Sequence, residues 1–185
     1  MKPKIFLDLD GVVVDWLGGS LKVCGLSADD STIRQHLREG NSIDDVLPGG
    51  RKQLTEAVNA GGPAFWTNLE FLPWGRRIVA LAQQFKDTHD FAFLTSPGKF
   101  PLAAQGKVAW LLANYPDESI IICRDKHLCA SANAVLIDDS DYQIKPFVCN
   151  SGNGYLWPNQ YRLLDGYDKV DDHFVVLENR ICRTV

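Results

Sequence analysis

The 185-residue sequence has no apolar run long enough to span a bilayer. Lys2 and Lys4 precede a short apolar stretch, but Asp8 and Asp10 interrupt it too early for a secretory signal. Positive charge is not in excess: 19 Lys and Arg face 23 Asp and Glu, a formal net charge of -4 at pH 7. Such a chain has no overall field to draw in a polyanion, which disfavours a duplex-binding role. An anionic substrate would have to be attracted locally, by a side chain or a metal ion. The cysteines, Cys24, Cys123, Cys129, Cys149 and Cys182, are odd in number and scattered, with no Cys-x-x-Cys pair. A zinc site or disulfide framework is disfavoured, and free thiols in a reducing cytoplasm are expected. Repeats and low-complexity tracts are absent. What is present is a 45% hydrophobic chain, enough to build the core of one compact domain with a small insert.

Four short apolar runs each end in a polar cluster. Lys4 to Leu9 meets Asp8 and Asp10. Phe91 to Leu94 ends at Thr95-Ser96-Pro97, Ser119 to Cys123 at Arg124-Asp125-Lys126, and Ala134 to Ile137 at Asp138-Asp139. Each run has the length and composition of a strand buried on both faces. Helical spacing lies between them, at Ile78, Leu81, Ala82 and Phe85 and at Val108, Leu111 and Leu112. The pattern predicts an α/β fold: a Rossmann-like parallel sheet with helices on both faces. In such a sheet the four clusters share the carboxyl edge, where ligands bind.

Residues 16–70 read differently. Ser27 is expected to cap a helix from Ala28 to Arg38, with Gly40 as its stop, and Arg51 to Asn59 is a second helix ended by Gly61-Gly62-Pro63. This segment is expected to form a small helical cap after the first strand, with 1–15 and 71–185 forming the core. Asn150 to Asn159 reads as loop, and Phe174 to Leu177 as a final strand.

The chemistry follows from residue types. Asp8 and Asp10 point to the same side of an extended chain and repel each other unless a cation lies between them. Magnesium accepts a few carboxylates together with water and phosphate oxygens. Gly11 permits a tight turn with close backbone approach. Taken alone, this motif equally describes a solvated acidic turn. Thr95 and Ser96 offer hydroxyls and amides for a phosphate oxygen, or a simple helix cap. Asp138 and Asp139, beside a buried strand, can complete a metal site. Lys126 or Lys107 can neutralise a phosphate. Lys126 follows a strand and has Arg124 beside it, whereas the stem of Lys107 can lie along its own helix.

With these residues in place, the sequence resembles the haloacid dehalogenase superfamily of phosphatases, through Asp8-Leu9-Asp10-Gly11-Val12, Leu94-Thr95-Ser96, Lys126 and Ile137-Asp138-Asp139. It is most similar to the 5'(3')-deoxyribonucleotidases, through Thr95-Ser96-Pro97, Arg124-Asp125-Lys126, Asn68-Leu69-Glu70, Leu72-Pro73 and the aromatic residue Trp16. The resemblance implies a magnesium-dependent phosphomonoesterase acting on a nucleoside monophosphate. Asp8 would be the nucleophile, Asp10 the acid–base, and Thr95 and Lys126 the phosphate-holding groups. Asp8, the Asp10 backbone carbonyl and one or both of Asp138 and Asp139 would bind the metal. Trp16, Phe65, Trp66, Ser96 and Arg124 would meet the substrate. Another small phosphorylated metabolite, a nucleic-acid end, or an inactive phospho-ligand-binding module are the alternatives. No membrane partner is expected, and monomer and homodimer are both left open.

Overall fold

The structure, a computed structural model, describes residues 2–184; Met1 and Val185, the outer limits of the expected core segments, lie outside the described residues. Five parallel strands form one sheet: β1 (Lys4–Leu7), β2 (Asp90–Thr95), β3 (Ser119–Ile122), β4 (Ala134–Asp138) and β5 (Asn153–Leu156), in the order β3-β2-β1-β4-β5. β1 is central, with Ile5 opposite Phe91 on one side and Val135 on the other. Alternation sends Ile5, Leu7, Phe93, Val135 and Ile137 into the larger core, and Phe6, Ala92, Leu94 and Leu136 into a smaller one on the opposite face. Both faces are covered, which is why the strands read as unbroken apolar runs. The chain leaves β1 toward β2 and β3, then crosses back to β4. The crevice between the carboxyl ends of β1 and β4 is therefore the topological switch point.

The helices are α1 (Trp16–Val23), α2 (Ser31–Arg38), α3 (Gly50–Thr67), α4 (Gly75–Gln84), α5 (Ala103–Asn114), α6 (Asp141–Cys149), α7 (Gln160–Leu164) and α8 (Val170–Cys182). Residues 16–70 contribute α1, α2, α3 and a 3-10 turn at Ile43–Val46, and no strand of the sheet. No helix among the described residues is long and apolar enough to cross a membrane.

Several local expectations need correcting. The helix expected from Ala28 begins at Ser31, because Asp30 accepts hydrogen bonds from the Thr32 and Ile33 amides at 2.9 and 3.0 Å. Ser27 instead closes a local turn, accepting from the Asp29 amide at 3.1 Å. The helix expected to stop at Gly61 kinks at Gly62 and resumes to Thr67, which lets Phe65 and Trp66 bury. Phe174 to Leu177 is helical. Phe174, Leu177 and Ile181 bury at helical spacing while Val175 and Val176 stay exposed, so period outweighs β-propensity. A strand, β5, lies within the expected loop: a Gly-containing edge strand of four residues carries little pattern to read.

Candidate active site

Backbone geometry brings the first and last acidic motifs together. The Asp8 amide donates to the Ile137 carbonyl at 2.9 Å, extending the β1–β4 ladder and setting Asp8 beside Asp138. The chain then turns tightly: the Val13 and Val14 amides both reach the Leu9 carbonyl, and the Gly11 amide reaches that of Val14 at 3.0 Å. Gly11 has φ 72°, and a Cβ there would lie 2.0 Å from Asp139 Oδ2. Only glycine meets both demands, so the turn lets the Asp139 carboxylate fold over the crevice.

Two ammonium groups sit among four carboxylates. Lys126, 1% exposed, lies 2.6 Å from Asp8 Oδ1 and 2.5 Å from Asp138 Oδ2, delivered by a 3-10 turn (Lys126–Cys129) after β3. Lys107, on α5, lies 2.5 Å from Asp10 Oδ2, donates to the Ser96 carbonyl at 2.6 Å and reaches Thr95 Oγ1 at 3.3 Å. α5 can come this close because Gly106 packs against Trp66, where a Cβ would meet the tryptophan's own Cβ at 2.3 Å. Both candidate lysines therefore reach the site from different sides: Lys126 braces the Asp8–Asp138 pair, and Lys107 the Asp10–Thr95–Ser96 side.

The acids outnumber the cations by two, and their protonation reflects it. Burial raises the Asp10 carboxyl above its ordinary value, against the pull of Lys107 and with the help of Asp8. Burial and then the Asp8 charge raise Asp138 to about 6, with Lys126 opposing. Asp139 is exposed as a residue, but its carboxyl is pushed well up by burial within the crevice and then by Asp8 and Asp138. Lys126 stays firmly charged: burial lowers its affinity for a proton, but Asp8 and Asp138 together outweigh burial. Asp8, Asp138 and Asp139 each offer an oxygen, all within 4.8 Å of one another. The buried Asp10 Oδ1 has no partner among the described residues. An all-carboxylate donor set with two uncompensated negative charges fits a hard divalent cation and not zinc.

A pocket of about 300 Å³ opens over these groups, lined by Asp8, Asp10, Ser96, Lys107 and Asp139 and by the rings of Trp16, Trp66 and Phe100, with Lys107 Nζ 5.1 Å from the centre of the Trp66 ring. The Phe100 ring lies 6.4 Å from that of Trp16 and 5.6 Å from that of Trp66. Thr95 is fully buried beneath the pocket and touches it through Lys107. One expected substrate residue lies elsewhere: Phe65 is buried edge-on behind Trp66, at 4.9 Å, and faces a separate groove between α1 and α3. Arg124 is exposed and meets the pocket at its rim, donating to the carbonyl of the pocket-lining Gly98 at 3.2 Å. Sequence reasoning passed over Phe100. Its place in the loop after β2 was the available signal, the same one that singled out Thr95.

Comparison with known proteins decides the family. The model of the family described as "5' nucleotidase, deoxy (Pyrimidine), cytosolic type C protein" matches residues 2–161. The chain belongs to that family. It is thus an enzyme of the phosphatase and 5'-nucleotidase kind. Among solved structures, it is similar to a hydrolase from Streptococcus pneumoniae TIGR4, at 12% identity and TM-score 0.55, covering 91% of this chain and 100% of that one. It is also similar to a haloacid dehalogenase-like family hydrolase from Xanthomonas campestris, at 11% identity and TM-score 0.54, covering 99% and 93%. At such identities the likeness concerns the fold. A search of curated proteins finds no match. The nucleotidase family and the five-stranded parallel fold agree with what the four strand-end motifs imply.

Proposed function

We propose that the enzyme hydrolyses nucleoside monophosphates, deoxyribonucleotides foremost, through a phosphorylated Asp8 and with magnesium bound. The observation that carries this reading is the convergence of Asp8, Asp138 and Asp139 within 4.8 Å, with Asp10 across the same pocket. Asp8, Asp138, Asp139 and the backbone carbonyl of Asp10 would hold the ion. Its chemistry there is to neutralise the crowded carboxylates and the incoming phosphate dianion.

The protein's own groups account for the steps. An Asp8 carboxylate oxygen attacks phosphorus, and the bond from phosphorus to the ester oxygen breaks. Asp10, whose carboxyl burial shifts toward holding a proton, would give one to the departing alcohol. A water then attacks the phosphoryl group on Asp8 and yields its proton to Asp10, freeing phosphate and restoring both carboxyls. Lys126 fixes the orientation of Asp8. Lys107 and Ser96 would meet the phosphoryl oxygens, with Thr95 holding Lys107 in place. Fixed charges of this kind supply most of the catalysis in phosphoryl transfer.

Substrate choice rests on the aromatic lining of the pocket. Trp16 and Phe100, both half-buried, offer flat faces to a base with the buried Trp66 packed beside Phe100, and the pocket's volume suits one nucleotide and not a strand. Residues 16–70, which supply two of these three rings, act as the cap that selects the substrate. A panel of deoxynucleoside, ribonucleoside and sugar monophosphates, each with magnesium or with a chelator, tests the proposal. Magnesium-dependent release of phosphate with preference for the deoxynucleotides is expected. Equal or faster turnover of the sugar phosphates removes the nucleotidase reading, and undiminished turnover in chelator removes the metal.

A further inference from the structure

We propose that Gln160, acting through Asp15, is a positioning residue that holds the Trp16 wall of the substrate pocket in place. The inference rests on the reading of that wall as the seat of the substrate's organic group.

Asp15 caps α1: its Oδ1 accepts from the Gly18 amide at 2.7 Å. Trp16 and Leu17, the next two residues, begin the helix and both line the pocket. The same Oδ1 accepts a second hydrogen bond, from Gln160 Nε2, again at 2.7 Å. Gln160 begins α7, far along the chain, and is 2% exposed. Its Oε1 has no partner among the described residues. A buried amide that makes one side-chain bond must spend that bond well, because an unpaired buried polar group is costly. Here the bond goes to a carboxylate, the stronger kind, and fixes both the cap and the first turn of α1.

Neighbouring residues also tie α7 to the inserted helices. Asn159 Nδ2 donates to the Leu37 carbonyl at 3.0 Å, and Asp165 pairs with Arg34 and Arg38. Those ties end on α2, which lines no part of the catalytic pocket. The Gln160–Asp15 bond alone among them leads to a pocket wall. Asn159 also caps α7, its Oδ1 accepting from the Tyr161 and Arg162 amides, so Asn159→Asp, which keeps that acceptor and loses only the Nδ2 bond to Leu37, serves as the internal control.

The test compares Gln160→Ala, the isosteric Gln160→Glu and Asn159→Asp in the full chain. KM and kcat are measured for a deoxynucleoside monophosphate and for glycerol phosphate. Trp16 emission is read as the difference between each protein and its Trp16→Phe counterpart. In both Gln160 variants KM for the nucleotide rises about five- to tenfold, with kcat held within about twofold and KM for glycerol phosphate unmoved. The Trp16 emission shifts to longer wavelength, and Asn159→Asp leaves both readouts as they were. If Gln160→Ala fails to fold, Gln160→Glu, which keeps the volume and loses the donor, carries the comparison. Equal KM increases for both substrates, an unmoved Trp16 spectrum, or the same response from Asn159→Asp overturns the proposal. Should the unaltered enzyme treat the two substrates alike, the nucleotide reading has failed, and the Trp16 spectrum alone decides the positioning role.

Discussion

Two clusters of acids and bases, one at the ends of β1 and β4 and one around α7, use the same residue types to opposite effect. At the strand ends Asp8, Asp10, Asp138 and Asp139 share two lysines, and Asp10, Asp138 and Asp139 hold protons more tightly than an ordinary aspartate. Around α7, Asp165 meets Arg34 and Arg38, and Asp168 meets Arg162 in a two-pronged pair at 2.6 and 3.0 Å. Both of those carboxyls lie below the usual range. For Asp165, burial acts upward but the arginine hydrogen bonds and charges outweigh it; for Asp168, the Arg162 hydrogen bond leads. The difference is stoichiometry and solvent. Matched pairs near the surface are modest contributors to stability. A buried site with surplus negative charge is costly to fold, and it is poised for a cation and a phosphate.

The contrast can be broken most forcefully at Asp8. Asp8→Asn keeps the shape and removes the nucleophile, so turnover should fall by at least about 10⁴-fold. Thermal stability should hold or rise, since one repelling charge is gone from the crevice. Rate assays with a generic phosphate ester and a melting curve check both, and a variant at native rate would unseat Asp8. Next in size is Lys107→Met, which keeps the stem and deletes the charge. Turnover should drop about 10²- to 10³-fold, as for removal of one preorganised charge-stabilising group. An effect of only a few-fold would take the phosphate-holding role from Lys107 and return it to Lys126.

The smallest effect is at the matched cluster. Asp165→Asn should leave kcat unchanged and lower Tm by about 2–4 °C at pH 7, the shift expected for roughly 1 kcal/mol in a chain of this size. The sign of its pH dependence follows from a folded-state pKa below the unfolded one. The stabilisation is complete above the unfolded value of about 3.9 and is lost as pH falls through the folded value. The Tm gap between the two proteins should therefore close in acid. A gap that widens in acid would show that the Asp165 pairs are not what the substitution removes.

Much of the sheet was legible because β1, β2 and β4 are buried on both faces and write themselves as apolar runs, and the partly buried edge strand β3 carries three isoleucines. β5 and α8 were not. The Gly154 edge strand has no such run, and the Phe174–Leu177 stretch is β-branched yet helical in its burial. At the candidate site, Asp8, Asp10, Ser96, Asp138, Asp139 and Lys126 meet or adjoin one crevice, as their places after strands implied, and Lys107 reaches it from α5 instead of lying along its helix. Phe65 faces away from it, since one residue along a helix turns a side chain by about 100°, and Arg124 stays at its rim.

From residue order alone came the places of β1, β2, β3 and β4, the acidic, hydroxyl and basic groups at their ends, and the insertion of helices between 16 and 70. These depend on short-range properties: hydrophobic period, caps and turn residues. The folded chain alone decided that both Lys126 and Lys107 enter the site, that Phe100 joins Trp16 and Trp66, and that Gln160 reaches Asp15. Each of those pairings joins residues distant in the chain, and no local spacing encodes which surfaces will meet once the sheet is wound.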